Sequence, residues 1–161
     1  MSTSVTSTPA ALSTPASDVE HLKLAAFDAE DLAVLSAHLQ DALVRIGDLA
    51  YMPEAKRFAL VARRFDWECL EPTPRRRLTG LHFDRVLRAR TRNIDRTRPD
   101  ETLELLAITF DGPEAPSGAA TLVFAGGASI RLELECIEAR LKDLGPVWPC
   151  GRAPAHDVET L

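Results

Sequence analysis

The feature that most restricts this chain lies towards its C-terminal end. Ile130, Leu132, Leu134 and Cys136 alternate with Ser129, Arg131, Glu133 and Glu135. A period of two with one apolar and one polar side describes a strand that is wet on one face, as antiparallel sheets allow. Residues 121–125 form a second such run, and Gly126-Gly127 joins the two, so the pair reads as a hairpin. A two-residue loop would pair Val123 with Ile130 and send Leu122 and Phe124 to the polar side. A three-residue loop, Ala125 to Gly127, brings Leu122 and Phe124 to the face of Ile130 and Leu132. The apolar pattern selects the longer loop, with Gly127 left-handed in a bulge.

Earlier segments follow the same logic. Residues 21–27 form a short strand with Leu22 and Leu24 on one face. Asp28 then caps a helix whose first turn carries Glu30 and Asp31, whose Leu32 can be stapled by Phe27, and whose buried stripe is Leu32, Leu35 and Leu39. Strands 42–51 and 57–67 flank a turn at residues 52–56. Alternation breaks in both arms, at Gly47 and at Arg63-Arg64, as a bulge or bend shared by the two strands would produce. After a Pro- and Arg-rich loop (72–80), residues 81–92 read as a strand. Leu81, Phe83, Leu87 and Ala89 lie on one side, and His82, Asp84, Arg88, Arg90 and Arg92 mostly on the other. Phe83, Val86 and Leu87 also fit a helical stripe. Residues 102–110 are apolar on both faces in their middle, which suggests a central strand. Ile137, Leu141 and Leu144 share a helical stripe that stops at Gly145-Pro146, so a C-terminal helix is expected.

The expected class is therefore α+β: an antiparallel sheet or partly closed barrel of about seven strands, with one helix after the first strand and one at the C-terminus. This order of elements resembles the pleckstrin-homology-like barrel. It departs from that fold in the long helix between the first two strands, and a two-layer sheet with both helices on one face fits nearly as well.

At 161 residues the chain fits one domain. Residues 1–17 are almost all Ser, Thr, Ala and Pro and read as a disordered tail, 18–150 as a single globular domain, and 151–161 as a loose end. No apolar run approaches the ~20 residues of a membrane helix, so membrane insertion is not expected. The first residues lack a secretory pattern, and Cys69, Cys136 and Cys150 are odd in number without a CxxC pair. Reduced thiols and a cytoplasmic setting follow as the expectation.

Charge is unevenly placed. Residues 56–98 hold 13 of the 19 basic residues and five acidic ones, a local +8 in a chain of net charge −5. Such a segment is either a surface for an anionic partner or a set of solvated arginines paired with the acidic remainder. The candidate anion-binding residues are Arg88, Arg90 and Arg92, which period two sends to one face, together with His82, which can hydrogen-bond to Asp84. The four histidines show no ligand spacing, and there is no GxSxG or Gly-rich phosphate loop. Trp67 and Trp148 read as packing residues before pocket walls. No catalytic residue, metal or cofactor is expected.

The segments QDALVRIGDLAY (residues 40–51), RFALVARRFDWE (57–68), GLHFDRVL (80–87) and IRLELECIEARL (130–141) resemble the bacterial family catalogued as domain of unknown function 2948, over about residues 20–150. The resemblance implies no assigned activity and supplies no catalytic residues. The expected function is a non-enzymatic cytoplasmic binding or interaction module with an unknown protein or anionic ligand as partner, and a homodimer is compatible with it. The alternative is a nucleic-acid or phosphate binder using residues 56–98. A third reading is an enzyme whose site assembles only in an oligomer.

Overall fold

The structure, a computed structural model, describes residues 21–65, 75–114 and 116–149. The two expected tails, Trp67, Cys69 and Cys150 lie outside the described residues, as does the side chain of Trp148. Among the described residues nine strands and one α-helix succeed one another: β1 (Lys23–Ala26), α1 (Ala29–His38), β2 (Ala42–Met52), β3 (Arg57–Phe65), β4 (Arg75–Asp84), β5 (Val86–Arg92), β6 (Thr102–Asp111), β7 (Gly118–Phe124), β8 (Ser129–Leu134) and β9 (Ala139–Pro149). All nine join one antiparallel sheet in the order β1-β9-β4-β3-β2-β6-β7-β8-β5.

That order requires strong curvature. Six strand spacings separate β4 from β5, about 29 Å in a flat sheet, yet only Arg85 stands between them in the chain, and two peptide steps reach at most about 7 Å. The sheet curls until the Val86 N–H donates to the Lys56 carbonyl at 2.9 Å, although it is not closed into a barrel. Arg85 takes φ of 63° at the corner. The inside of the curl holds the core, where Leu60, Leu81, Phe83, Leu105, Leu122, Phe124 and Leu132 are buried. The helix packs on β1 and β6 and adds Leu32, Leu35 and Leu39 to the same cluster. Where β6 bulges between Leu105 and Ala107, the Ser36 hydroxyl accepts the Ile108 N–H at 2.8 Å.

Several expectations hold. The Asp28 side chain caps α1 by accepting the Asp31 N–H at 2.8 Å. The β7–β8 hairpin pairs Leu122 with Ile130 and Ala120 with Leu132 across the three-residue turn, with Gly126 and Gly127 both at positive φ. β6 is central, between β2 and β7.

Others are corrected. The strand count is nine, not about seven, and the C-terminal element is the strand β9 instead of a helix. Ile137, Ala139, Leu141 and Asp143 are buried in strict alternation, with Glu138, Arg140, Lys142 and Leu144 turned outward. A buried aspartate at the fourth inward position hid the period of two, and Leu144 completed a false helical stripe. The pleckstrin-homology-like order loses its closing helix with this change. Residues 75–92 are two strands, not a loop followed by one strand at 81–92. Inward parity shifts at Arg85 from Phe83 to Val86, which leaves Leu87 half exposed. The break at Gly47 is present, with a register shift between Val44 and Leu49, and the Gly47 N–H donates to Pro99 O at 2.8 Å. A β-carbon on Gly47 would lie 3.0 Å from that of Pro99, so glycine permits the approach. β3 has no matching break: Phe58, Leu60, Ala62 and Arg64 all point inward. Phe27 stays exposed, its ring beneath the Arg140 guanidinium at 5.5 Å.

Candidate functional site

Two polar or concave features stand out, one inside the sheet and one on its outer face. The inner one is built on Asp143 of β9. Its side chain is fully buried and accepts from Arg64 Nε at 2.9 Å, a second Arg64 guanidinium nitrogen at 3.0 Å, Thr79 Oγ1 at 2.7 Å and the Leu22 N–H at 2.7 Å. Arg77 adds a guanidinium nitrogen at 3.9 Å. Burial raises the carboxyl pKa, but the hydrogen bonds from Arg64, Leu22 and Thr79 and the charge of Arg64 outweigh it, so Asp143 stays below the ordinary carboxylate range. The Asp143 N–H also donates to the Leu22 carbonyl at 2.9 Å. These contacts tie β3, β4, β9 and the residue leading into β1 together. Their saturation makes the cluster a structural clamp, since a fully hydrogen-bonded carboxylate has no face left for a ligand.

The outer feature is a groove of about 600 Å³ across β1, β9, β4 and β3. Its floor is low because outward positions there carry small side chains: Ala25 on β1, Gly80 on β4, Ala59 and Val61 on β3. The inward-facing Leu60, Leu81 and Leu141 also line it. Leu144, half exposed, and Met52 form apolar walls, and the Leu144 side chain lies over Gly80, where an added β-carbon would meet it at 3.3 Å. A depression of this volume floored by aliphatic atoms matches the usual scale of small-molecule sites.

Charge around the groove falls into two groups. At one end Asp84 binds Arg57 at 2.7 Å, with His82 at 3.5 Å and Arg140 at 3.8 Å, while Arg140 also reaches Glu138 at 3.3 Å. Partial burial lowers the His82 pKa below its ordinary value, and the Arg57 charge adds to this against the opposing pull of Asp84, which favours the neutral imidazole at pH 7. At the other end stand Lys23 and Lys142, directly opposite each other in the β1–β9 register. A recess of about 400 Å³ shares Lys23, Lys142 and Leu144 with the groove and is lined also by His21, Leu22 and Asp143.

The four residues singled out for anion binding do not form one site. Arg88, Arg90 and Arg92 are exposed on the edge strand β5, where Arg88 lies opposite Glu133 and Arg90 approaches it at 3.7 Å. His82 lies on β4 in the groove. Much of the basic segment is matched by carboxylates: Lys56 with Glu135, Arg57 with Asp84, Arg64 and Arg77 with Asp143, Arg85 with Glu138, Arg98 with Glu101. Arg76 donates to the carbonyls of Asp41 and Arg63. The groove itself went unread in the sequence, because it comes from small residues two apart on separate strands and no contiguous motif. Among the described residues no group of three or more His, Cys, Asp or Glu could hold a metal ion, and no helix is long and apolar enough to cross a membrane.

Searches of curated proteins and of solved structures found no match. A family model does match, the one described as protein of unknown function (DUF2948), over residues 22–156. That span takes in every strand of the sheet and all the groove and clamp residues, and the chain belongs to this family.

Proposed function

We propose that the protein is a non-enzymatic binding module and that its ligand site is the outer groove, which takes a small molecule with an apolar body. The observation that carries this is the aliphatic surface of Ala59 and Val61, continued by the Leu144 side chain over Gly80 and bounded by Met52. Exposed strand faces normally present polar side chains to water, and an apolar depression at that position costs hydration free energy unless something covers it. A cytoplasmic setting belongs to the same proposal and rests on the odd cysteine count. The ion pairs along residues 56–98 speak against an open basic face for nucleic acid.

The test is titration with Nile red, a neutral apolar dye. The wild-type protein should bind one dye per chain with a blue-shifted emission. Gly80→Leu and, separately, Ala59→Leu fill the floor and should abolish this while leaving the circular dichroism unchanged. Dye binding that survives both substitutions would place the ligand elsewhere.

A further inference from the structure

We infer that Lys23 and Lys142 form a clamp for the anionic head group of an amphipathic ligand whose aliphatic body lies along the groove. The inference rests on the groove being the ligand site. The chain has 16 arginines and only three lysines, yet two of the three face each other across adjacent strands. Directly opposed like charges weaken a sheet, so this pair works against the fold that contains it. Among the described residues neither ammonium has a carboxylate within ion-pair distance, whereas Arg57 and Arg140 at the other end are held by Asp84 and Glu138. The uncompensated positive charge is thus confined to one end of an apolar groove.

Register sets the direction of the ligand. Lys23 pairs with Lys142, Lys142 with Gly80, and Gly80 with Val61, so one row crosses the sheet from the two charges onto the apolar floor. Facing side chains on neighbouring strands start about 5 Å apart, and two flexible ammonium groups can converge on the oxygens of a single carboxylate. The body then runs from that row past the Leu144 side chain that covers Gly80, over Val61 and Ala59. A concavity of about 600 Å³ holds one such molecule. A bilayer surface would call for a protruding apolar patch, so the occupant is a single free aliphatic carboxylate.

The experiment compares decanoate with 1-decanol by isothermal titration calorimetry, on the wild-type protein and on the double variant Lys23→Gln/Lys142→Gln. We expect decanoate to bind the wild type at least tenfold more tightly than the alcohol. The variant should lose that preference, keep its affinity for the alcohol, and melt at the same or a higher temperature because the opposed charges are gone. Equal affinities in both proteins would refute the clamp and leave the groove standing. Failure of both ligands to bind the wild type would refute the groove as well. Sedimentation with anionic phospholipid vesicles, without binding of monomeric decanoate, would also overturn the proposal.

Discussion

Replacing Asp143 with asparagine tests how the sheet is held at its β1–β9–β4–β3 side. The substitution keeps the shape of the side chain, removes its charge and converts one acceptor into a donor. The new amide could still accept from Thr79 or Arg64 through its oxygen, but its NH₂ group would then point at the Leu22 N–H or at the guanidinium, donor against donor. Arg64, whose side chain is 1 % exposed, would lose the carboxylate it meets at 2.9 and 3.0 Å. Breaking a buried pair by removing one partner costs about 3–5 kcal/mol, because the remaining charge loses its buried counter-ion. For a domain whose total stability is about 5–15 kcal/mol that is a large share, and it corresponds to a fall in melting temperature of about 6–20 °C. The pH dependence gives a second readout. The Asp143 pKa is lower in the folded protein than its unfolded value of about 3.9. Its contribution is therefore complete above that unfolded value and is lost as pH falls through the lower folded one. Urea unfolding followed by circular dichroism should show the full gap between wild type and Asp143→Asn at pH 7, and a narrowing gap as the wild-type carboxyl protonates in acid. A loss below about 1 kcal/mol at pH 7 would refute the clamp. Replacing the pair together, as Arg64→Met with Asp143→Leu, should recover only part of the loss: it removes the Arg64 charge, but Arg77 still loses its carboxylate and Thr79 and Leu22 their acceptor.

Two further substitutions probe the sheet and its basic edge. Leu132→Ala, at a fully buried position paired with Ala120, should cost about 2–5 kcal/mol in chemical denaturation through the cavity it leaves, and a change under about 0.5 kcal/mol would contradict the face assignment of β8. Converting Arg88, Arg90 and Arg92 together to Glu should shift the melting temperature little, because the like charges then set against Glu133 are offset by relief of the Arg90–Arg131 opposition across β5–β8. The wild-type protein should show no salt-sensitive binding to RNA at low salt, and binding that the triple variant abolishes would revive the nucleic-acid reading.

How much of this was legible in the sequence depended on how local the deciding interaction was. The Asp28 cap, the Leu32–Leu35–Leu39 stripe and the three-residue β7–β8 turn involve residues within a few positions of one another, and each was readable. Arg64 and Asp143 stand 79 positions apart. Neither looks like a core residue alone, and each is buried because the other is there. Both irregularities of pattern follow from that pair: Arg64 interrupts the apolar alternation of β3 at an inward position, and Asp143 does the same in β9.

Residues 137–144 show the division of labour most clearly. Glu138, Ala139, Arg140, Leu141 and Lys142 are good helix formers, and Ile137, Leu141 and Leu144 satisfy a helical stripe. They form a strand because β1 and β4 each present an unpaired ladder edge to this segment, and those hydrogen bonds, with Asp143 seated on Arg64 and Thr79, override local preference. The groove has the same origin. Ala59, Gly80 and Ala25 are ordinary small residues in sequence, and Lys23 and Lys142 are 119 positions apart. The sequence by itself determined a half-wet antiparallel sheet, its helix cap and its tightest turn, because those depend on backbone periodicity and nearest neighbours. Strand order, the β4–β5 corner, the buried ion pair and the charged groove were decided only in the tertiary structure, where pairing register brings distant residues into one row.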